Sequence, residues 1–135
     1  SSGDDMENVK KLAEGYKNIK IVGWVSDWQL KQLVGRCIAT LYMPIDEDAG
    51  MVPLESNAAG KPCICNKDGG FVEIVENGVN GIFVPKDYKI EDIVLAVRGM
   101  TAKRAMDMKE SCEKQAKVYS KEEFIRKIRG VVGSL

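Results

Sequence analysis

The chain has 135 residues, enough for one compact domain with a real core and too few for two domains of ordinary size. Its 20 basic residues balance its 20 acidic ones, so no overall field draws it onto nucleic acid or an anionic membrane, and any phosphate recognition has to be local. No apolar run approaches the roughly 20 residues that span a bilayer, and the opening SSGDDMENVKK lacks an apolar signal-peptide centre, so a soluble, cytoplasmic protein is expected.

In chain order, residues 6–16 read as a helix with no strand before it, as though the sheet had lost upstream strands from a longer chain; Ser1, Ser2 and Gly3 are equally compatible with an expression scar. Four short apolar runs then predict strands: Ile19-Lys20-Ile21-Val22, residues 38–43, Cys63-Ile64-Cys65 and Gly81-Ile82-Phe83-Val84. They recur about every twenty residues with room for a helix in each gap, the pattern of βαβ units in a Rossmann-like parallel sheet flanked by helices. The near-continuous apolar character of 38–43 predicts a strand covered on both faces.

The first connecting helix opens at Ser26 or Asp27, where Ser26 and Gln29 have capping-box spacing and Leu30, Leu33 and Val34 form an apolar stripe. The second starts near Pro53 and stops at Gly60, and a short third runs from about Phe71 to Glu76. After Pro85 the texture is helical: 90–98, then about 102–119, then 121–132. These extra C-terminal helices cover the sheet or reach to something else.

Of the four cysteines, three sit in apolar stretches where a reduced thiol behaves as a small hydrophobe. Cys63 and Cys65 share one face of a strand and could ligate a soft metal. Without histidine or a second cysteine pair at zinc-site spacing, the structural reading is preferred and no metal site is expected.

Two segments follow strands and precede helices, where open α/β sheets bind ligands. The first is Asp46-Glu47-Asp48-Ala49-Gly50-Met51-Val52-Pro53-Leu54-Glu55. Gly50 permits a sharp turn and Pro53 fits a first helical turn, so Glu47 belongs to the loop and Glu55 to about the third helical position. Backbone amides of Gly50, Met51 and Val52 at the positive end of that helix suit a diphosphate, and the two carboxylates suit sugar hydroxyls. Each piece has an ordinary explanation as well: a glutamate early in a helix is favourable without any ligand, and an acidic run is usually a solvated loop. The second segment carries Gly69-Gly70 ahead of Phe71 and Glu73 and allows close approach of a ligand to the backbone.

Together, Glu47 and Glu55 with seven residues between them, Ala58-Ala59-Gly60-Lys61-Pro62, Gly69-Gly70 with Glu73, Asn77-Gly78 and Gly81 resemble the retaining GT-B glycosyltransferases of group 1. Val22-Gly23-Trp24-Val25-Ser26-Asp27 and Leu30 fit the same pattern. The resemblance implies the C-terminal, donor-binding half of a GT-B fold over residues 1–135, with the acceptor-binding N-terminal domain absent. It assigns Glu47, the catalytic candidate, to hydroxyls of the donor sugar as a positioning and electrostatic group, and Glu55 to the ribose. Ala49, Gly50, Met51 and Val52 would meet the diphosphate and sugar, Gly69 and Gly70 the pocket floor, and Val25 and Asp27 the base.

The mannosyltransferase-like form of the motif implies GDP-mannose as the first donor to consider, with a UDP-sugar as the other, no cofactor and no bound metal. Peripheral membrane association of a full-length enzyme is compatible with it. Ala49 stands where the family commonly has phenylalanine, and no segment matches the family's basic pair that grips the diphosphate. The chain is therefore expected to bind donor weakly and not to turn over alone. Outside that reading stand a non-catalytic α/β interaction module and a GT-B sugar-nucleotide epimerase or phosphorylase.

Overall fold

The structure is a computed structural model that describes residues 5–44 and 50–133. Three strands, β1 (Thr40–Tyr42), β2 (Cys63–Asn66) and β3 (Gly81–Val84), form a parallel sheet in that order. Thr40 registers with Cys63 and Cys63 with Gly81. Seven helices are described: α1 (Met6–Ala13), α2 (Asp27–Arg36), α3 (Met51–Ala58), α4 (Phe71–Ile74), α5 (Ile90–Gly99), α6 (Ala102–Val118) and α7 (Lys121–Val132). With α3 between β1 and β2 and α4 between β2 and β3, each strand pair is a βαβ unit, which is how parallel strands are joined. No helix among the described residues is long and apolar enough to cross a membrane.

The chain divides into two compact units, Ser1–Leu33 and Val34–Leu135. In the first, α1 and the start of α2 are separated by irregular chain. The Ser26 hydroxyl accepts from the Gln29 amide at 3.3 Å while the Gln29 side chain accepts from the Ser26 amide at 2.9 Å, so the capping box forms as expected. The run Ile19 to Val22 does not form the expected strand. Its first amide turns back to the Tyr16 carbonyl at 3.1 Å, and Ile19, Ile21 and Val22 stay exposed. β-branched composition favours a strand only where a neighbouring ladder accepts it, and none does among the described residues.

The second unit holds the sheet and its core. Alternation along β2 sends Cys63 and Cys65 to one face, against Phe71, Ile74 and Val75, and Ile64 to the other, against Val84, Met100, Ala105, Met108 and Cys112. β2 is thus buried on both faces, as its unbroken apolar run requires. β1 departs from expectation. It is an edge strand of the described sheet, three residues long, and Leu41 on it is 51% exposed, so 38–43 is not covered on both sides.

Helix α6 runs past the amino ends of the strands. A Cβ at Gly60 would lie 2.9 Å from Lys109 Cγ, Cys112 Sγ approaches the Asn80 carbonyl at 3.5 Å, and the Tyr119 hydroxyl donates to the Glu73 carbonyl at 2.9 Å. The extra C-terminal helices thus begin by bracing α3 and α4 from beneath. All four cysteines are free thiols. Burial pushes the Cys112 thiol up to about 11, so at neutral pH it stays protonated and packs as a small hydrophobe.

Candidate functional site

The carboxyl edge of the sheet is built around a close contact that neither segment announces alone. Gly50, the N-cap of α3, adopts φ 65°, and a Cβ there would lie 2.6 Å from Phe71 Cδ1. Only glycine satisfies both the left-handed backbone and the approach to the ring. Phe71 is the first residue of α4 and is 1% exposed, with its ring edge-on to Tyr42 at 5.8 Å between centroids. The start of α3 and the start of α4 therefore sit side by side, above the ends of β1 and β2.

Helix α3 starts at Met51, two residues before the expected point, so Pro53 is its third residue and Glu55 its fifth. The shift leaves the chemistry intact. The first amides of an α-helix have no acceptor inside it, and Pro53 takes one of those positions without wasting an N–H. Met51 and Val52 then carry the amides at the positive end of the helix. Glu55 is exposed four positions after exposed Met51, on the same side of α3.

The other end of α3 is locked by buried polar groups. Ser56 Oγ donates to the Lys61 carbonyl at 2.9 Å and accepts from Thr40 Oγ1 at 2.9 Å. Asn57 accepts from Asn80 Nδ2 at 2.7 Å and donates to the Lys61 and Asn80 carbonyls, each at 3.1 Å. Asn80 also donates to the Ile74 carbonyl at 2.9 Å and accepts from the Glu76 amide at 2.6 Å. Asn57 and Asn80 bury almost completely because each is bonded at both ends of its amide. The network joins α3 to the chain around α4, and so fixes the two helix starts relative to each other.

The turn from β2 to α4 holds Gly69, at φ 57°, and Gly70, the N-cap of α4. Helix α4 is short, as expected, at four residues, so its dipole adds little to that of α3. What the turn supplies is backbone close to the edge. The Lys67 amide donates to the Val84 carbonyl at 2.9 Å, and Lys86 pairs with Asp68 at 3.0 Å. The hydrogen bond from the Lys86 ammonium holds the Asp68 carboxyl below its ordinary value against a smaller cost of burial, and the Gly69 amide adds to the lowering.

Gly50, Met51, Val52, Glu55, Gly69 and Gly70 are thus brought to one edge. Glu47 and Ala49 lie outside the described residues. Val25, half-buried, and Asp27, exposed in the first turn of α2, belong to the first unit. Cys63 and Cys65 do share a face, but it packs against Phe71, Ile74 and Val75. The bond to Cys63 and then burial push the Cys65 thiol up. Among the described residues no group of three or more histidine, cysteine, aspartate or glutamate side chains is placed to hold a metal ion.

Sequence reasoning missed Asn66, the last residue of β2, which is 5% exposed. Its Nδ2 donates to the Pro44 carbonyl at 3.3 Å, while its buried Oδ1 has no hydrogen-bond partner among the described residues. A polar residue closing an otherwise apolar strand was the available signal.

The profile of the family "Glycosyl transferases group 1" matches residues 2–119. An uncharacterized glycosyltransferase of Methanocaldococcus jannaschii is 36% identical over 70 residues, 51% of this chain and 18% of that protein. Among solved structures, HepE of Anabaena in complex with UDP and glucose superposes with a TM-score of 0.71 at 24% identity, over 97% of this chain and 38% of HepE. HepE in complex with UDP-glucose gives a TM-score of 0.65 at 25% identity, over 98% of this chain and 38% of HepE. The chain therefore spans well under half of the proteins it matches, and its α/β architecture is that of the C-terminal half of a GT-B fold. With 2–119 covered by the family profile, the chain belongs to the group 1 glycosyl transferases.

Proposed function

We propose that residues 1–135 form the donor-binding domain of a retaining glycosyltransferase, which takes a nucleoside diphosphate sugar at the carboxyl edge of the sheet and is completed by an acceptor-binding domain outside this chain. The observation that carries the proposal is the packing of Gly50 on Phe71, which sets the α3 amides beside the Gly69-Gly70 turn. In this reading the Met51 and Val52 amides, with Gly50 at the cap and Ala49 before it, receive the diphosphate. Glu55, exposed on α3, takes the ribose hydroxyls, and Gly69 and Gly70 line the pocket floor. Glu47 holds the donor sugar by its hydroxyls and stabilises charge that develops as the nucleoside diphosphate leaves.

Transfer proceeds with the acceptor hydroxyl attacking from the face that the leaving group departs, so anomeric configuration is retained. No metal or cofactor is called on. The form of the motif favours GDP-mannose; the UDP-glucose bound by HepE favours a UDP-sugar. Isothermal titration of the chain with UDP, GDP, UDP-glucose and GDP-mannose tests the proposal and chooses between them. Binding in the high micromolar to millimolar range is expected, weakened about tenfold by Glu55→Ala through loss of a charge-assisted hydrogen bond. Absence of binding by all four at millimolar concentration, or binding indifferent to Glu55→Ala, contradicts it.

A further inference from the structure

We infer that Lys67 is the cation of the donor site, its ammonium lying against the diphosphate of the bound nucleotide. The inference rests on the donor-binding reading above and deepens it. The strand ladder aims the side chain. Tyr42, Cys65 and Phe83 register across the sheet as one rung and pack on the face that carries Phe71. Successive residues of a strand alternate between faces, so Asn66 turns away and Lys67 returns to the Phe71 face. The ladder still holds at this point, since the Lys67 amide donates to the Val84 carbonyl at 2.9 Å. Lys67 therefore stands about 6–7 Å beyond that rung in the carboxyl direction. Phe71 rests on the rung, and Gly50 at the start of α3 packs against Phe71.

The charge on Lys67 is not spent within the protein. The residue is exposed, and among the described residues its ammonium has no ion-pair or hydrogen-bond partner. Asp68, the neighbouring carboxylate, is held by Lys86 at 3.0 Å. The edge, in turn, calls for a cation. The sequence ahead of α3 carries Asp46, Glu47 and Asp48, and α3 carries exposed Glu55, so a diphosphate arriving here meets like charge that the Met51 and Val52 amides alone would have to offset. In the segments that leave the three strands, 43–50, 67–70 and 85–89, the basic residues are Lys67, Lys86 and Lys89. Lys86 pairs with Asp68, and Lys89 is the N-cap of α5. Only Lys67 follows the central strand, on the face where α3 and α4 begin. A lysine ammonium is a compact charge with three donors, which suits phosphate oxygens without a fixed angle of approach.

The test measures affinities for UDP and GDP by isothermal titration at low and at high salt. The proteins are the wild type, Lys67→Gln, Lys67→Arg and, as a control that removes the same charge far from the edge, Lys121→Gln at the start of α7. At low salt Lys67→Gln should bind the tighter of the two nucleotides about fivefold more weakly than the wild type, while Lys67→Arg and Lys121→Gln stay within about twofold of it. The difference should narrow at high salt, because the lost interaction is between screened charges. Wild-type affinity in Lys67→Gln overturns the inference, as does an equal loss in Lys121→Gln. A loss that salt leaves unchanged overturns it too, since that is the mark of an altered fold and not of a missing charge. If Lys67→Gln does not fold, the wild type decides: the NMR resonances of the Lys67 side chain should shift on saturation with the nucleotide, and unmoved resonances overturn the inference. Failure of the wild type to bind either nucleotide instead refutes the donor-binding reading itself.

Discussion

Substituting Gly50 with alanine tests the contact on which the site is built. Two costs add. At φ 65° an alanine occupies the left-handed region, at about 1 kcal/mol. Its Cβ would also stand 2.6 Å and 3.0 Å from two atoms of the Phe71 ring. That ring is 1% exposed and braced edge-on by Tyr42, so it cannot swing aside, and overpacking of this kind costs about 1–3 kcal/mol. Gly50→Ala should therefore lower stability by about 2–4 kcal/mol, read from urea unfolding followed by circular dichroism. In a Phe71→Leu background the steric part should fall away and leave about 1 kcal/mol, a coupling of at least about 1 kcal/mol between the two positions. A Gly50→Ala penalty below about 0.5 kcal/mol, or one identical in both backgrounds, would refute the claim that this packing sets the two helix starts.

Asn80→Ala strips partners from the Glu76 amide, the Ile74 carbonyl and Asn57 Oδ1 in the interior and should cost about 3 kcal/mol or more. Asn77→Ala, which loses one exposed bond to the Phe83 amide, should cost about 1 kcal/mol; equal costs in urea titrations would deny the Asn57–Asn80 network its bracing role. The lowered pKa of Asp68 means that its pairing with Lys86 contributes above the unfolded carboxylate value of about 3.9, and that this contribution is lost as pH falls through the folded value. An NMR titration of the Asp68 carboxyl should show its midpoint rising in Lys86→Gln, and an unmoved midpoint would remove Lys86 as the cause.

What could be read from the sequence was governed by local rules. The Ser26–Gln29 capping box, the bounds of β3 and α7, and the turn at Gly60 after α3 follow from capping, alternation and glycine chemistry within a few residues. The start of α3 was misplaced by two residues because proline marks a first turn and not its first position. Ile19 to Val22 shows the limit of composition, since a strand needs a neighbour. The brace beneath the site was invisible for a similar reason. Ser56, Asn57 and Asn80 are polar types usually met at the surface, and only tertiary contact over separations of 16 and 23 residues buries and satisfies them. The resemblance to the group 1 family was legible in the spacing of glutamates and glycines. The Gly50–Phe71 contact that gives the spacing its meaning was not.

The account turns on whether a nucleotide sugar sits at the start of α3. Amide chemical-shift mapping of the labelled chain during titration with UDP-glucose and GDP-mannose addresses this directly. Saturable shifts at Gly50, Met51, Val52, Gly69 and Gly70, beyond those of distant residues on α6 and α7, are the predicted result. Saturable shifts confined to other surfaces, with these five amides unmoved, would contradict it.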